Sequence, residues 1–443
     1  MNIKLSDHFT YKRLLRFVAP SIAMMIFTSI YGIVDGLFVS NFAGKIPFAA
    51  INLIMPFIMV LGALGFMVGT GGSAIVAKTL GEGDEKRAND YFSMMVYVTI
   101  IGGILFAAAG FFLMRPISLF LGATDEMLDY CVLYGQITMI SLPAYMLQNV
   151  FQSFFITAEK PHLGFIVTVA CGLTNIVLDF LFIAGFGWGL VGAAVATAFS
   201  EFVGGIVPIV YFARKNNSIL KLVGFKYNCR IFGKTCVNGS SELMSNISMS
   251  VVAMLYNFQL LRFAGENGVA AFGVMMYANF IFMAIFFGYS IGVAPLIGYN
   301  FGAENHSEQK NLFVKSMKFL GISGLLLAGL SIVLAGPLSS IFVGYDSELF
   351  ELTRHGMRLY AVCFILVGFN VFASSYFTAL NNGLISAVIS FIRALIFKTA
   401  AVLILPMFWG LDGVWLSAIA AEILGIIMVA GFLAKYRKRY HYL

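Results

Sequence analysis

The chain has 443 residues, of which 60% are hydrophobic and only 11% are charged, and its formal net charge at pH 7 is +7. A soluble domain is about 25% charged, so this composition excludes a soluble globular protein and indicates one that is embedded in a lipid bilayer. The basic residues are spread over many short segments rather than gathered into one patch, which argues for a role in membrane topology and against nucleic-acid binding.

Twelve hydrophobic runs are long enough to cross a bilayer, for which about 20 residues are needed. The sequence therefore predicts an all-α integral membrane protein with twelve transmembrane helices. In chain order, the spans are predicted near residues 14–39, 48–74, 91–114, 131–157, 162–184, 190–213, 235–260, 269–295, 312–335, 352–378, 383–405 and 411–434.

The last six spans repeat the first six. At an offset of 221 residues the two halves align without a gap, so that Glu201, for example, falls on Glu422. The sequence thus predicts an N-lobe, residues 1–221, and a C-lobe, residues 222–443, with six transmembrane helices each. Since six is an even number, both repeats have the same orientation in the membrane, as in parallel-repeat transporters. Two such lobes are expected to surround a central cavity.

Charge predicts the orientation of the bundle. Most Lys and Arg residues lie on the side that carries both termini and the 214–234 linker. The positive-inside rule places this side in the cytoplasm. We therefore expect a multi-pass protein of the inner (plasma) membrane with both termini in the cytoplasm.

The motifs of several common chemistries are missing from the sequence. There is no Gly-x-x-x-x-Gly-Lys-Ser/Thr loop to bind ATP, and the 5 histidines lie at or near predicted span ends rather than in a metal-binding cluster. We expect no cofactor. A polytopic membrane enzyme would need clustered His, Cys or carboxylate residues near a membrane interface, and the sequence shows no such cluster.

Strongly polar residues are expensive inside a membrane span, so those present are candidates for function. Four of them occur in the first half without a matching counterpart in the second: Asp35, Asn175, Asp179 and Thr197. At about 1.5 Å per residue, Asp35, Asp179 and Thr197 all fall in the outer half of the membrane, and Asn175 shares a helix face with Asp179. Their oxygen atoms suit a hard cation such as Na+, and two nearby carboxylates can share a proton. We predict a cation-coupling site; the alternative is two independent, hydrogen-bonded aspartates that line a wet cavity.

Polar residues shared by both repeats are expected to be structural. They are Glu201 with Glu422 and Asn149 with Asn370. Arg393, in contrast, occurs only in the second half. It falls at the height of Glu422, so an Arg393–Glu422 ion pair is expected, and substrate binding by Arg393 is the alternative.

The remaining candidates concern substrate and motion. Lys398 is a second cation confined to the second half, and the sequence identifies no partner for it. Pro20, in the first span, removes a backbone hydrogen bond and permits a kink, which makes it a candidate hinge. The candidates for the substrate cavity are Tyr31, Asn149, Met275, Met276 and Arg393, and core packing is the alternative for the methionines.

Several of these residues match a known family. They are Pro20, Tyr31 and Asp35 in the first span, the Asn175 and Asp179 pair in the fifth, and Thr197 in the sixth. In these residues and in its twelve spans the chain resembles the multidrug and toxic compound extrusion (MATE) family, and most of all its DinF-like, MepA-type branch. The resemblance implies a V-shaped pair of lobes and the export of organic cations or amphiphiles, driven by inward flow of H+ or Na+. The other major branch has a glutamate midway along the seventh span, where this chain has Met249, so a C-lobe cation site of that type is not implied.

The favoured function is therefore a cation-coupled antiporter that works by alternating access, as a monomer in contact with membrane lipid. The first alternative is a lipid or lipid-linked oligosaccharide flippase of the same superfamily, which a wide basic groove would favour. The second is the membrane enzyme. Both H+ and Na+ remain open as the coupling ion, and so does the identity of the exported compound.

Overall fold

The structure, a computed structural model, describes residues 3–42 and 44–442, and these residues form helices and no strands. Short π-helical segments, Phe180–Gly185 and Ile392–Phe397, extend α5 and join α11 to α12. The helices are α1 (Tyr11–Phe42), α2 (Lys45–Gly81), α3 (Glu85–Phe120), α4 (Asp125–Thr157), α5 (Pro161–Asp179), α6 (Gly189–Ala213), α7 (Cys229–Gly302), α8 (His306–Val343), α9 (Ser347–Ala361), α10 (Cys363–Ala379), α11 (Gly383–Phe391), α12 (Lys398–Ile404) and α13 (Pro406–Tyr440).

The described helices account for the twelve predicted spans. Ten continuous helical stretches are long and apolar enough to cross a membrane, and α9 and α10, which meet at a bend of 48°, together form another. The 74-residue α7 contains two spans, because Gly265 inside it has non-helical backbone angles, φ 60° and ψ −149°. The predicted all-α, twelve-helix membrane fold is confirmed.

The chain reverses direction at equivalent glycines in the two halves. Gly44 and Gly265 have φ of 90° and 60°, and Gly189 and Gly410 have φ of 52° and 55°. The members of each pair are 221 residues apart. A left-handed backbone costs other residues about 1–2 kcal/mol, so glycine fixes these breaks at the same place in both repeats.

The two lobes meet through repeat-related contacts between α2 and the second half of α7. A Cβ atom at Gly81 would collide with the carbonyl oxygen of Tyr299, and a Cβ atom at Gly302 would collide with the carbonyl oxygen of Lys78. Each of these contacts is the other one moved along the chain by 221 residues. The pseudo-two-fold axis of the parallel repeat therefore passes between these helix ends, where small residues let the backbones touch.

The interlobe hydrogen bonds lie in the half of the bundle that carries the termini and the linker. Asn381 Nδ2 donates to the carbonyl oxygen of Ala74 at 3.3 Å. Among the residues that the structure describes, the deepest such bond runs from Ser29 Oγ to the carbonyl oxygen of Phe280, at 3.4 Å, midway along α1. The lobes are thus closed against each other on this side.

The N-terminal segment that precedes α1 ties the lobes together on the same side. The backbone N–H of Leu5 donates to Glu159 Oε1 of the N-lobe at 2.7 Å. The backbone N–H of Phe9 donates to Glu308 Oε1 of the C-lobe at 2.9 Å, and His8 Nδ1 lies 2.6 Å from Glu308 Oε2. This segment therefore forms a strap between the two lobes.

The linker between the lobes, residues 214–228, is bound to the N-lobe. The backbone N–H of Lys221 donates to Asn89 Oδ1 of α3 at 2.7 Å. The predicted lobe boundary after Lys221 falls within this linker and stays a prediction. The outer limits of the two predicted lobes, Met1 and Leu443, lie outside the described residues.

Candidate functional site

Asp35, Asn175 and Asp179 are brought together by the packing of α1 against α5. Asn175 and Asp179 are four residues apart and so lie on one face of α5. Gly172 precedes Asn175 by three residues, and a Cβ atom there would collide with the ring of Tyr31 on α1. Because Gly172 has no side chain, α5 lies close to α1, and Asp35, one turn beyond Tyr31, reaches the two polar residues of α5.

The three side chains form a cluster of buried oxygen atoms. The Asp35 carboxyl group lies beside the Asp179 carboxyl group and the Asn175 side chain. Asp179 is completely buried, Asn175 is 2% exposed, and Asp35 is half-buried. Asp35 Oδ1, Asn175 Oδ1 and both carboxyl oxygens of Asp179 find no hydrogen-bond donor among the described residues. These four oxygen atoms are therefore available to accept a hydrogen bond or to coordinate a cation.

This arrangement is suited to binding a small cation. An ionised carboxylate has only acceptors, and two adjacent carboxylates repel each other unless a proton or a cation lies between them. A shared proton would supply the missing donor, and the two groups would then titrate as a pair. Carboxylate and amide oxygens are also the ligands that hard cations prefer. Within the described ranges no three His, Cys, Asp or Glu side chains group in a way that could hold a metal ion, whereas this set of two carboxylates and one amide fits H+ or Na+.

Thr197, the fourth predicted member, lies half-buried on α6. Its carbonyl oxygen accepts a hydrogen bond from Ser200 Oγ at 2.9 Å. No contact that the structure shows joins its hydroxyl to the carboxyl groups, so its place in the site stays a prediction.

A polar face of α4, which the sequence analysis did not single out, adjoins the site. It consists of Ser141, Tyr145, Gln148 and Gln152. Gln148 lies beside the hydroxyl of Tyr31, and Ser141 lies beside the carboxyl group of Glu201. These α4 residues are spaced three and four apart, which is the helical period. That spacing is the signal in the sequence that could have identified them.

The repeat-related glutamates have different electrostatic environments. Glu201 lies in the N-lobe near Asp35, and its Oε2 has no hydrogen-bond donor in the described part of the chain. Glu422 is completely buried on α13, and Arg393 Nη1 lies 3.1 Å from its Oε1. The expected Arg393–Glu422 ion pair is present. Each glutamate thus belongs to a cluster of a different character, acidic in the N-lobe and mixed in the C-lobe.

Lys398 is a second cation beside Glu422, and its Nζ lies 3.5 Å from Glu422 Oε1. Asn370 Nδ2 donates a hydrogen bond to Glu422 Oε2 at 2.7 Å. Arg393 and Lys398 are five residues apart, and a regular α-helix would place them on different faces. The segment Ile392–Phe397 is π-helical, and its i→i+5 repeat aligns the two side chains. Regular helical geometry, which the sequence analysis assumed, would therefore not place Lys398 beside Arg393 and its partner Glu422.

Packing explains some of the predicted substrate-cavity residues. Asn149 is buried, and its Nδ2 donates to the carbonyl oxygen of Gly62 at 3.1 Å, which joins α4 to α2. Met275 is buried in a cluster with Trp415, and Met276 packs against the same cluster while staying partly exposed. Core packing, the alternative considered for the methionines, accounts for Met275.

The predicted hinge residue lies within a continuous helix. Pro20 is buried in α1, which runs unbroken from Tyr11 to Phe42. Tyr31 is half-buried on the same helix, one turn before Asp35. A hinge function for Pro20 and a substrate contact for Tyr31 stay predictions.

Comparisons with known proteins agree with this architecture. The MatE family model matches residues 20–181 and 243–402. The multidrug export protein MepA of Staphylococcus haemolyticus is 25% identical over 428 residues, which are 96% of this chain and 92% of MepA. A crystal structure of a MATE protein in complex with MaL6 has a TM-score of 0.90 and 22% identity, and it covers 96% of both chains. An outward-facing multidrug resistance MATE family transporter has a TM-score of 0.89 and 21% identity over 96% of both chains.

Proposed function

The chain belongs to the MATE family, and from this premise we propose that it is a cation-coupled antiporter. It exports organic cations or amphiphilic drugs across the cytoplasmic membrane in exchange for H+ or Na+. The name of its staphylococcal relative, a multidrug export protein, supports this substrate class. Membership of a family of transporters also argues against the membrane-enzyme alternative.

The observation that carries the proposal is the cluster of buried oxygen atoms that Asp35, Asn175 and Asp179 form. Both carboxyl oxygens of Asp179, together with one side-chain oxygen each of Asp35 and Asn175, are buried without a donor. Such a cluster is unfavourable when empty and ionised, so it has a strong affinity for a proton or a small cation. Thr197 completes the set in this proposal.

Helix α1 connects the oxygen cluster to the lobe interface, so binding of a cation at the cluster can affect how the lobes pack. This helix packs against α5 of the N-lobe and also against α7 of the C-lobe. A cation bound to Asp35 changes the charge that α1 presents to its neighbours. If the cation binds more tightly in one arrangement of the lobes than in the other, it shifts the equilibrium toward the arrangement that it binds more tightly. A bend of α1 at Pro20 then narrows the N-lobe cavity and expels the substrate outward.

The membrane setting follows from the distribution of charge. Both termini and the linker lie in the cytoplasm, as the positive-inside rule predicts. The protein acts as a monomer in the lipid of the inner (plasma) membrane and needs no cofactor. The flippase alternative has less support, because Arg393 and Lys398, the two basic residues within the C-lobe spans, both contact the carboxylate of Glu422.

Efflux from proteoliposomes tests the proposal. Purified protein is reconstituted, the membrane potential is clamped, and a pH gradient or a Na+ gradient is imposed separately while the movement of ethidium is followed. We expect uphill ethidium movement under at least one gradient, and the effective gradient identifies the coupling ion. Ethidium that moves no faster than in protein-free liposomes under both gradients would contradict the proposal. Gradient-independent movement of a fluorescent phospholipid would favour the flippase instead.

A further inference from the structure

The two lobes differ in charge at the same membrane depth: the N-lobe has acids there, and the C-lobe has cations as well as an acid. In the N-lobe, Asp35 and Asp179 have no cationic partner among the described residues. In the C-lobe, Lys398 occupies the position equivalent to Val177, which is two residues from Asp179 along α5. The pseudo-two-fold axis runs along the membrane normal, so Lys398 and Asp179 differ in depth by only about 3 Å. A compound held between the lobes at this level has two acids on its N-lobe side and, on its C-lobe side, the cations Lys398 and Arg393 together with the carboxylate of Glu422.

Lys398 is the accessible end of the C-lobe cluster. The Glu422 side chain is completely buried and that of Arg393 is 7% exposed, whereas that of Lys398 is 24% exposed. An ammonium group that faced lipid at this depth would be strongly unfavourable, and Lys398 Nζ lies against an interior glutamate. Lys398 Nζ is therefore held on the inner side of its helix, while the side chain as a whole stays partly open.

Glu422 does not satisfy all the hydrogen-bond donors of Lys398 and Arg393. Arg393 Nη1 contacts both oxygens of Glu422, at 3.1 and 3.3 Å, whereas Lys398 reaches one oxygen at 3.5 Å. A lysine ammonium has three donors, so two remain for another acceptor. Arg393 Nε, which is buried, also finds no acceptor among the residues described. A further carboxylate near Arg393 is that of Glu242, on the first half of α7.

The surroundings of this end suit an amphiphile. Tyr360 lies beside Arg393 and Glu422, is half-buried, and donates its hydroxyl to Asn279 Oδ1 at 3.4 Å. Its ring offers an apolar surface near the guanidinium group of Arg393. An amphiphile with an aromatic body and an acidic substituent would satisfy both features.

We infer that Lys398, backed by Arg393, forms a subsite for an acidic group, a carboxylate or a sulfonate, on the exported compound. This inference rests on the proposed export function and extends it. A compound with an acid and an amine binds more tightly here than the same compound with its acid blocked. The N-lobe acids provide the attraction for the amine, and the C-lobe cation provides it for the acid.

A pair of dyes tests the subsite. Rhodamine B carries a free carboxylate, and its ethyl ester is the same ring system without the negative charge. We measure equilibrium binding of both dyes to purified protein by fluorescence anisotropy, for the wild-type protein and for Lys398→Met, Lys398→Arg and Lys435→Met. Lys398→Met keeps the length of the side chain and removes its charge. Lys435→Met is the matched control, since it makes the same change on an exposed residue near the end of α13.

The wild-type protein should prefer the acid over the ester by about tenfold, the size typical of one charge-assisted hydrogen bond. Lys398→Met should remove this preference and leave the affinity for the ester unchanged, while Lys398→Arg and Lys435→Met should keep it. The wild-type comparison stands even if Lys398→Met does not fold. A wild-type protein that binds the ester as tightly as the acid would overturn the inference and leave export of cations intact. Binding of neither dye would count against both proposals.

Discussion

Neutralising Glu422 should destabilise the protein far more than neutralising its repeat-related counterpart, Glu201. Glu422 is completely buried and has two cations within 3.5 Å, Arg393 and Lys398. Glu422→Gln keeps the size of the side chain but leaves the buried guanidinium without its counter-charge. Removing one partner of a buried ion pair costs about 3–5 kcal/mol, and partly exposed Lys398 adds little to this.

Glu201→Gln is the matched control. Glu201 has no cationic partner among the described residues, and its nearest charged neighbour is Asp35, of the same sign. The substitution removes a buried charge without leaving an opposite charge behind. We expect the thermal stability of Glu201→Gln to equal or exceed that of the wild-type protein.

Thermal unfolding in detergent, followed with a thiol-reactive fluorogenic dye, measures both effects. The dye reports unfolding because buried cysteines in both lobes, Cys171 in the N-lobe and Cys363 in the C-lobe, become reactive when the protein unfolds. At roughly 2 °C per kcal/mol for large domains, Glu422→Gln should lower the Tm by about 6–10 °C. Adding Lys398→Met to Glu422→Gln should change the Tm little further, since partly exposed Lys398 contributes little to the loss. Equal losses for Glu422→Gln and Glu201→Gln would refute the reasoning.

Three further predictions concern motion and the lobe interface. Pro20→Ala should weaken cation-driven efflux more than it weakens drug binding, when both are measured in one preparation; unchanged efflux would remove the hinge from the mechanism. Gly302→Ala should lower the Tm by several degrees, because the added Cβ atom collides with backbone across the lobe interface. Gly102→Ala, which has open space at the Cβ position, should leave the Tm unchanged. Equal Tm values for the two variants would show that the lobes do not pack closely at Gly302. Glu308→Ala should speed amide exchange in the strap that includes His8, as measured by hydrogen–deuterium exchange, and unchanged protection of that segment would show that other contacts hold it.

The fold was predictable because its signals are long and redundant. Twelve apolar runs and a gap-free repeat predict twelve spans and two lobes without any knowledge of packing. The breaks at Gly265 and Gly410 follow from the repeat, because their counterparts Gly44 and Gly189 stand where α2 and α6 begin. The close approach of the lobes at Gly81 and its partner was not predicted, because a glycine at an interface has no distinctive sequence pattern.

The candidate site was predictable where two side chains lie at the same depth in the membrane on straight, neighbouring helices. The depth argument placed Asp35 near Asp179, and the structure brings the two carboxyl groups together. The sequence identified no partner for Lys398, since a π-helical segment rotates it toward Glu422. The repeat also indicated the same role for Glu201 and Glu422, but partners contributed by other helices make their environments different.

The polar face of α4 and the N-terminal strap were missed for different reasons. Ser141 and Gln148 have a helical spacing that could have been read from the sequence, but they carry no charge and so do not stand out in a span. The strap depends on Glu159 and Glu308, which lie in separate lobes and come together only through packing at the pseudo-two-fold interface. Contacts of this kind require the tertiary structure.

The most direct test of the central claim is gradient-driven ethidium efflux by Asp35→Asn and Asp179→Asn, with Asp412→Asn as the control. Asp412 is an exposed acid whose carboxylate meets His355 at 2.8 Å, outside the candidate site. Asp35→Asn and Asp179→Asn should express at near-normal levels and bind ethidium, but they should show no uphill efflux under either a pH or a Na+ gradient, whereas Asp412→Asn should transport like the wild-type protein. Full cation-driven efflux by Asp35→Asn or Asp179→Asn would contradict the account.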